Sequence, residues 1–481
     1  MWTSNDKSVK TATSKELGRF ADKSNTILNL YMLFLSVYFC VFSLTAFFTI
    51  DKTDFIGNYL KLLLSPSKLV TDYFALGGLT CTLFNAGICG LFSNFIIFIS
   101  KTKPNATTFA GYLLVVAHCF YGLNIINMIP SILGVILYCK VMKRAFNENT
   151  HIALFSTALG PFTSDFLFRY AFNIAKDSTQ AIIVGAVLAI ILGLATGFLV
   201  PALIKGTTGM HRGFNMYKAG LALGLLGIFL HSFFYTSLGF NTPPVITIDN
   251  PEYYAMPFAY RDFMNLFFVI LFVFTLILGY ILNGKSFNGY KALLKSTGYG
   301  TDFFDKFKMP VCLINFAIYG ICIILYLNLI MLLPELFDFL PKGVGFTGAT
   351  VGVIFAALTF SADGQQPRTV APIVLGYVLL SALVIVFSLC FNRAVPWTLS
   401  TQCYINGLAF ATGLCPFAGK YGWKVGVIAG FLSAVICAST AAMHGGFVLY
   451  NGGFTAGLTA LVILPILDFY DVKPKVDDDR E

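Results

Sequence analysis

Apolar stretches of about twenty residues, separated by short polar segments, recur along the whole chain. A helix needs about 20 apolar residues to cross the hydrocarbon core of a bilayer. Hydrophobic residues make up 57% of the sequence and charged residues only 11%, whereas a soluble domain carries about 25% charged residues. The sequence therefore predicts an all-α integral membrane protein.

The chain also repeats itself. Residues 210–225 and 443–458 align without gaps, and eight of the sixteen positions are identical. Shorter matches fall in the same order, among them Thr157-x-Leu-x-Pro-Phe with Thr412-x-Leu-x-Pro-Phe. This pattern predicts two copies of one transmembrane unit. The predicted organisation is an N-terminal tail at 1–26, repeat 1 at 27–236, a linker at 237–262, repeat 2 at 263–468 and an acidic tail at 469–481.

Seven apolar segments can be counted in each repeat, which gives about 14 transmembrane helices. The segments near 149–163 and 398–416 are broken by small and polar residues, so they either cross or form re-entrant hairpins. Crossing gives the better agreement with the positive-inside rule. It predicts two inverted repeats of seven, a multi-pass protein of the plasma (inner) membrane, and both termini in the cytoplasm.

The net charge of +9 does not indicate a nucleic-acid partner, because the basic residues are spread over short loops. The predicted partners are the lipid bilayer and a small-molecule or ion substrate, and a homo-oligomer is left open.

Two His-x-Gly-Phe-x-x-Tyr elements form the most specific motif, placed at the start of the last helix of each repeat. A membrane histidine can relay protons or bind a solute, or it can cap a helix. The glycines at this motif favour close helix packing or a backbone exposed to a solute path. The candidate binding residues here are His211, Gly213, Phe214, Tyr217, His444, Gly446, Phe447, Tyr450 and Asn451.

The Thr-x-Leu-x-Pro-Phe elements supply further candidates, because proline breaks a helix and frees a carbonyl. Such a break at membrane depth is tolerated inside protein or beside a cavity, although an ordinary helix end is the alternative. Two amides within apolar segments either join helices or contact solute. The candidates of these two kinds are Thr157, Pro161, Thr412, Pro416, Asn85 and Asn315.

No phosphate-binding loop, zinc motif or nucleophile elbow occurs, so no enzyme activity, catalytic residue, metal or cofactor is predicted. Asp and Glu are nearly absent from the predicted spans. This scarcity favours a channel-like facilitator for a neutral or small solute, or Na⁺ coupling through backbone carbonyls and threonines, and H⁺ coupling is left open.

The element at 444–454 (HGGFVLYNGGF) resembles one found in an uncharacterised polytopic membrane family of Gram-positive bacteria. That resemblance covers the whole chain and implies no activity. Leu-Gly-Pro-Phe at 159–162, Leu-Cys-Pro-Phe at 414–417 and Gly-Phe-Thr-Gly at 345–348 resemble elements of urea transporters, whose repeat has five helices. The paired histidines are also similar to those of ammonium transporters.

These observations predict transport of a small polar solute through a midplane site between the repeats, by a secondary transporter or a channel-like facilitator. Transport requires a polar cavity lined by the two Pro-Phe breaks and the two His-Gly-Phe elements. One alternative is a non-transporting receptor or assembly protein with a solid core. The other is a membrane-embedded enzyme acting on a lipid-linked substrate, which needs a cluster of histidines and acids.

Overall fold

The computed structural model describes residues 20–52, 54–69, 71–168, 179–241 and 258–476. All regular secondary structure in these ranges is helical, and they contain no β-strand. The all-α expectation is therefore confirmed for the part of the chain that is described.

The described residues of the first half form nine α-helices. They are α1 (Ser24–Thr49), α2 (Phe55–Leu63), α3 (Tyr73–Ile99), α4 (Ala106–His118), α5 (Ile125–Val141), α6 (Phe146–Ser156), α7 (Gly160–Ser164), α8 (Thr179–His211) and α9 (Lys218–His231). A 3₁₀ turn at Thr157–Leu159 joins α6 to α7, and a π-helical segment at Ser232–Ser237 extends α9.

The second half contains nine more α-helices in the same order. They are α10 (Phe258–Leu282), α11 (Tyr290–Lys295), α12 (Phe303–Leu336), α13 (Gly348–Ala357), α14 (Pro367–Cys390), α15 (Gln402–Ala411), α16 (Cys415–Tyr421), α17 (Trp423–Met443) and α18 (Asn451–Phe469). Again a 3₁₀ turn, Thr412–Leu414, joins α15 to α16.

Nine helices in the described ranges are long and apolar enough to cross a membrane, which supports a multi-pass membrane protein. The other predicted spans are shorter. Helix α5 has 17 residues, and α4, α6, α13 and α15 have 10 to 13 each. An apolar stretch at 106–123 indicates one span in the sequence, but its helix ends at His118, and the segment predicted near 398–416 begins at Gln402. Helices α4 and α13 are thus half-length helices that end inside the protein, whereas α6 and α15 continue through 3₁₀ turns into α7 and α16.

Helices α1 and α10 pack against each other in opposite directions. Near the start of α1, the Tyr31 hydroxyl lies 2.8 Å from the Thr275 hydroxyl. Further along α1, the Tyr38 hydroxyl donates to the Phe267 carbonyl at 2.7 Å, although Phe267 precedes Thr275. The half-length helices α4 and α13 also pair across the two halves, since a Cβ at Gly352 would lie 2.4 Å from the Ala117 carbonyl oxygen.

Equivalent kinks interrupt α3 and α12 near their first turns. Gly78 has φ +76 and Lys308 has φ +68, so a short first turn precedes the main helix in each case. Asp72 and Asp302 cap these first turns by accepting hydrogen bonds from backbone amides. The kinks and caps place the loops before α3 and α12 against the opposite half of the molecule.

Parts of the predicted domain organisation lie outside the described residues. These are residues 1–19 of the N-terminal tail, 242–257 of the linker and 477–481 of the acidic tail. The predicted repeat boundaries stay predictions.

Candidate functional site: the contact between the two halves

Each Pro-Phe element packs on the His-Gly-Phe element of the other half. Phe162 stacks on Phe447 with ring centroids 4.6 Å apart, and Phe417 stacks on Phe214 at the same distance. All four rings are buried. The structure therefore brings together the four elements that the sequence analysis predicts to surround a site.

The prolines begin helices at these contacts. Pro161 and Pro416 lie in the first turns of α7 and α16, where a missing N–H costs nothing. The backbone turn before each proline is also hydrogen-bonded to the other half. Leu449 donates its amide to the Ala158 carbonyl, and Met216 donates to the Gly413 carbonyl, each at 3.0 Å.

Thr157 and Thr412 occupy equivalent positions in the 3₁₀ turns. Each hydroxyl donates back to a carbonyl three residues earlier at 2.7 Å. The Thr412 hydroxyl also accepts from the Gln365 side-chain amide at 2.8 Å. Each threonine hydroxyl thus bonds to a backbone carbonyl where the α-helix is interrupted, and the Thr412 hydroxyl also bonds to the Gln365 side chain.

Tyr217 and Tyr450 meet where the two halves touch. Their ring centroids are 5.7 Å apart, and Phe410 packs against both rings. Phe155, the equivalent of Phe410, packs against Tyr450 at 6.4 Å. The Tyr217 hydroxyl donates to the Ala356 carbonyl at 2.7 Å. An aromatic cluster thus fills the centre of the contact.

Tyr450 differs from Tyr217 because its buried hydroxyl has no hydrogen-bond partner in the described structure. The same holds for both ring nitrogens of His118 and for the Tyr121 hydroxyl. The His118 ring lies 5.6 Å from Tyr121 and 6.0 Å from Tyr450, and all three residues are at most 1% exposed. An unpartnered buried polar group costs about 1–3 kcal/mol, so this group of four unsatisfied atoms requires an explanation.

The sequence analysis does not single out His118 and Tyr121. A usable signal exists for His118, which is one of only five histidines in the chain and lies within an apolar stretch. An ionisable residue at membrane depth is a candidate functional residue on that ground alone.

The predicted histidines lie elsewhere. His211 is the last residue of α8 and His444 follows α17, so both close the preceding helix, and placing them at the start of the final helices was wrong. The reason is the following glycines, since Gly213 and Gly446 adopt φ near +80 and end the helical path. His444 Nε2 lies 2.9 Å from Asn451 Oδ1.

The His211 ring is buried, and its two nitrogens have no partner among the described residues. Asn451 occupies the position of Lys218 in the first repeat. Lys218 is exposed and borders a large cavity.

Asn85 and Asn315 hold the ends of the half-length helices. Asn85 Nδ2 donates to the Cys119 and Leu123 carbonyls at 2.9 and 2.8 Å. Asn315 Nδ2 makes equivalent bonds to the Ser361 and Gln365 carbonyls at 2.7 and 2.8 Å. These contacts correspond to the interpretation in which each amide joins helices.

A polar cavity of about 710 Å³ opens beside this contact. It reaches Met216, the residue before Tyr217, and it is bordered by Asp302, Asp363 and Lys218. Of the four predicted elements, only the His-Gly-Phe element of the first half borders this cavity, so the expected cavity lined by all four is not found here. The backbone bond from Phe304 N to Ala362 O, 2.8 Å long, brings the two acidic loops together. The sequence analysis does not predict these acids, because they lie in loops outside the apolar stretches.

The positions of Asp302 and Asp363 in this cavity raise the pKa of both carboxyl groups. Burial and, to a smaller extent, the negative charge of Asp363 together raise the pKa of Asp302 to about 7. Burial also raises the pKa of Asp363, while the positive charge of Lys218 acts in the opposite direction. The cavity therefore holds a carboxyl group that titrates near neutral pH.

A second cavity of about 300 Å³ lies within the second half, between α12, α13, α14 and α15. It is mainly apolar and reaches Thr412. The hydroxyls of Tyr319 and Tyr326, which also border it, have no partner among the described residues. Within the described ranges, no group of three His, Cys, Asp or Glu residues could hold a metal ion.

The fold and this contact define a multi-pass helical membrane protein with two similarly ordered halves and a buried polar centre. A family model described as "Protein of unknown function (DUF1576)" matches residues 51–236 and 282–469, well over half of the chain, and the protein belongs to that family. The predicted membership of an uncharacterised family is thereby confirmed. No curated protein and no solved structure matches the chain.

Proposed function

We propose that this protein transports a small polar solute by alternating access between two inverted repeats of seven crossings each. The antiparallel pairing of α1 with α10 supports the inversion, because the two helices hold the same place in their repeats. The half-length helices α4 and α13, which meet inside the protein, resemble the discontinuous helices from which transporter sites are built.

The observation that carries the proposal is the unequal state of two equivalent faces. At one face the loop before α3 packs against the other half, where Leu69 N donates to the Gly446 carbonyl at 2.8 Å. At the other face the equivalent loop, Gly298–Asp302, also contacts the other half, since the Tyr299 hydroxyl donates to the Arg212 carbonyl at 2.9 Å. This loop nevertheless borders the 710 Å³ cavity. A pseudo-symmetric protein with one face closed and the other open has the form of one state of a transport cycle.

The proposal also includes an orientation in the membrane and candidate residues for H⁺ coupling. The proposal puts the termini and the open face on the cytoplasmic side of the plasma membrane, and the positive-inside rule supports this orientation, because the basic loops fall on that side. Asp302 and Asp363 are the candidates for H⁺ coupling, since they lie in the cavity that solute would enter. Enzyme activity and homo-oligomers are not part of the proposal.

The test uses the purified full-length protein in liposomes. Formamide, acetamide and glycerol are the probes, and stopped-flow light scattering follows swelling as each solute enters. We expect faster swelling than in protein-free liposomes for at least one probe. Thr107→Trp should slow it by filling the mouth of the cavity, whereas Gly206→Trp should not, because nothing lies within 4 Å of the Cβ position at Gly206.

Swelling equal to that of protein-free liposomes for all three probes, with folded protein, contradicts transport of small uncharged solutes. Equal rates in Thr107→Trp and Gly206→Trp contradict the assignment of the cavity as the entrance.

A further inference from the structure

Four buried hydrogen-bonding atoms without partners among the described residues belong to three adjoining rings at the contact between the two halves. They are the two ring nitrogens of His118 and the hydroxyls of Tyr121 and Tyr450. Protein interiors satisfy nearly all buried polar atoms, and isolated exceptions are scattered. Four such atoms on three adjoining rings point to a bound molecule that supplies the missing partners.

The second half shows that these groups are not needed to fill the space. By the alignment that pairs Pro130 with Pro372, the position of His118 is taken by Phe360. Phe360 packs edge-on against Tyr217 at 4.8 Å, as His118 packs edge-on against Tyr450. A phenyl ring therefore fits this position, and the imidazole in the first half adds hydrogen-bonding capacity that packing does not require.

The surroundings of the three groups define what they can bind. The rings that contact Tyr450 besides His118 are those of Tyr217, Phe155 and Phe410, all uncharged. A charged ligand held there would lack a counter-charge, which is costly in a buried site. A neutral imidazole offers one donor and one acceptor, and each phenol can both donate and accept.

We propose that His118, Tyr121 and Tyr450 form the binding subsite for a small uncharged solute that carries both hydrogen-bond donors and acceptors. This inference rests on the proposed transport function and names its substrate class. The subsite adjoins Tyr217, and the open cavity reaches Met216, the preceding residue in the chain, so Tyr217 lies between the open face and the subsite.

The test compares variants that keep ring size and change hydrogen bonding. His118→Phe introduces the side chain of the equivalent position, while Tyr121→Phe and Tyr450→Phe each remove one hydroxyl. Tyr326→Phe is the matched control, since it removes another unpartnered hydroxyl that lies in the separate 300 Å³ cavity. Acetamide, formamide and glycerol are the uncharged probes, and sodium acetate is the charged one.

Two readouts are taken for each variant. The first is the shift in thermal unfolding midpoint on adding each probe, relative to Tyr326→Phe so that bulk solvent effects cancel. The second is the liposome swelling rate. We expect each phenylalanine substitution at the subsite to weaken the response to an uncharged probe roughly two- to tenfold, the range that one hydrogen bond contributes. Sodium acetate should give no shift beyond the control.

The outcomes separate the two proposals. A probe-dependent shift that the subsite variants lose, without any swelling, supports the subsite and overturns transport. Swelling that persists unchanged in all three subsite variants supports transport and overturns the subsite. A shift with acetate that equals the shift with acetamide overturns the assignment to uncharged solutes, and the absence of both shift and swelling overturns both proposals.

Discussion

The two acidic caps, Asp72 and Asp302, hold equivalent positions yet differ in surroundings. Asp72 is fully buried, and its Oδ1 accepts from Phe74 N at 2.9 Å and from Gly348 N, at the start of α13, at 2.8 Å. Asp302 is half-buried, accepts from Asp305 N in its own helix at 3.0 Å and borders the open cavity. We call these the closed face, around Asp72, and the open face, around Asp302.

One contact, between Asp72 and the start of α13, distinguishes the closed face from the open face. At the closed face a carboxylate joins the start of one helix to the start of a half-length helix from the other half. At the open face the corresponding half-length helix is α4, and its residue Thr107 borders the cavity together with Asp302. The bond from Gly348 N to Asp72 therefore has no counterpart at the open face in the described structure.

The largest expected effect comes from removing the closed-face contact. Asp72→Ala deletes a buried acceptor and leaves two backbone amides without a partner. We expect this substitution to lower the free energy of unfolding by about 3 kcal/mol. Asp302→Ala deletes a half-exposed helix cap, and we expect it to lower the free energy of unfolding by about 1 kcal/mol. Thermal unfolding in detergent gives the order of the two variants. Equal losses would mean that the two caps contribute alike and would remove the contrast between the faces.

Chemical labelling gives a second, smaller contrast. Thr107→Cys borders the open cavity, whereas Ala349→Cys, next to Gly348 at the closed face, is fully buried. In a background without the exposed Cys322 and Cys390, a membrane-impermeant maleimide should react with Thr107→Cys at least about tenfold faster, because thiol reactivity follows exposure.

A solute that binds the subsite should change this labelling ratio if the faces alternate. Rates that are equal from the beginning would contradict a closed face at Asp72.

The smallest expected effect depends on pH. Between the ordinary carboxyl pKa near 4 and the raised pKa of about 7, folded Asp302 binds a proton that the unfolded chain does not. Stability from this group is therefore present at the acidic end and is lost as pH rises towards 7. Asp363 and Asp305 add negative charge nearby, and Lys218 borders the same cavity.

Unfolding midpoints recorded from pH 4.5 to 7.5 test this dependence. We expect a downward component with rising pH that is absent in Asp302→Asn. An identical pH profile in both proteins would show that Asp302 does not titrate in this window.

Much of the architecture could be predicted from the sequence because membrane helices and inherited motifs leave strong local signals. The apolar stretches indicated the spans, and the repeated Pro-Phe and His-Gly-Phe elements indicated four segments that do meet through Phe162, Phe447, Phe214 and Phe417. The ends of the half-length helices were less visible, because α4 stops at His118 within an apolar stretch that continues to Leu123.

The candidate site was less predictable for a physical reason. Matching the two halves selects residues that both share, and such residues include structural ones such as Asn85, whose amide bonds to carbonyls. Two of the three residues of the proposed subsite occur where the halves differ, at His118 opposite Phe360 and at Tyr121 opposite Asp363. The third, Tyr450, is shared with Tyr217 and was among the sequence candidates. Burial without a hydrogen-bond partner is a property of the folded structure, and no pattern of residue types reports it.

The crossing of α9 and α18 has a mechanical consequence. A Cβ at Gly220 would lie 2.3 Å from the Gly453 carbonyl carbon, so no side chain separates the two backbones. Side chains interlock on either side of this contact, because a Cβ at Gly224 would lie 2.2 Å from the Phe454 ring and a Cβ at Gly457 would lie 2.8 Å from Leu221 Cβ. Sliding of one helix along the other would drive these side chains into the opposite backbone, whereas a small rotation about the crossing would not. We therefore expect this crossing to act as a fulcrum, with the largest displacements at the two faces farthest from it.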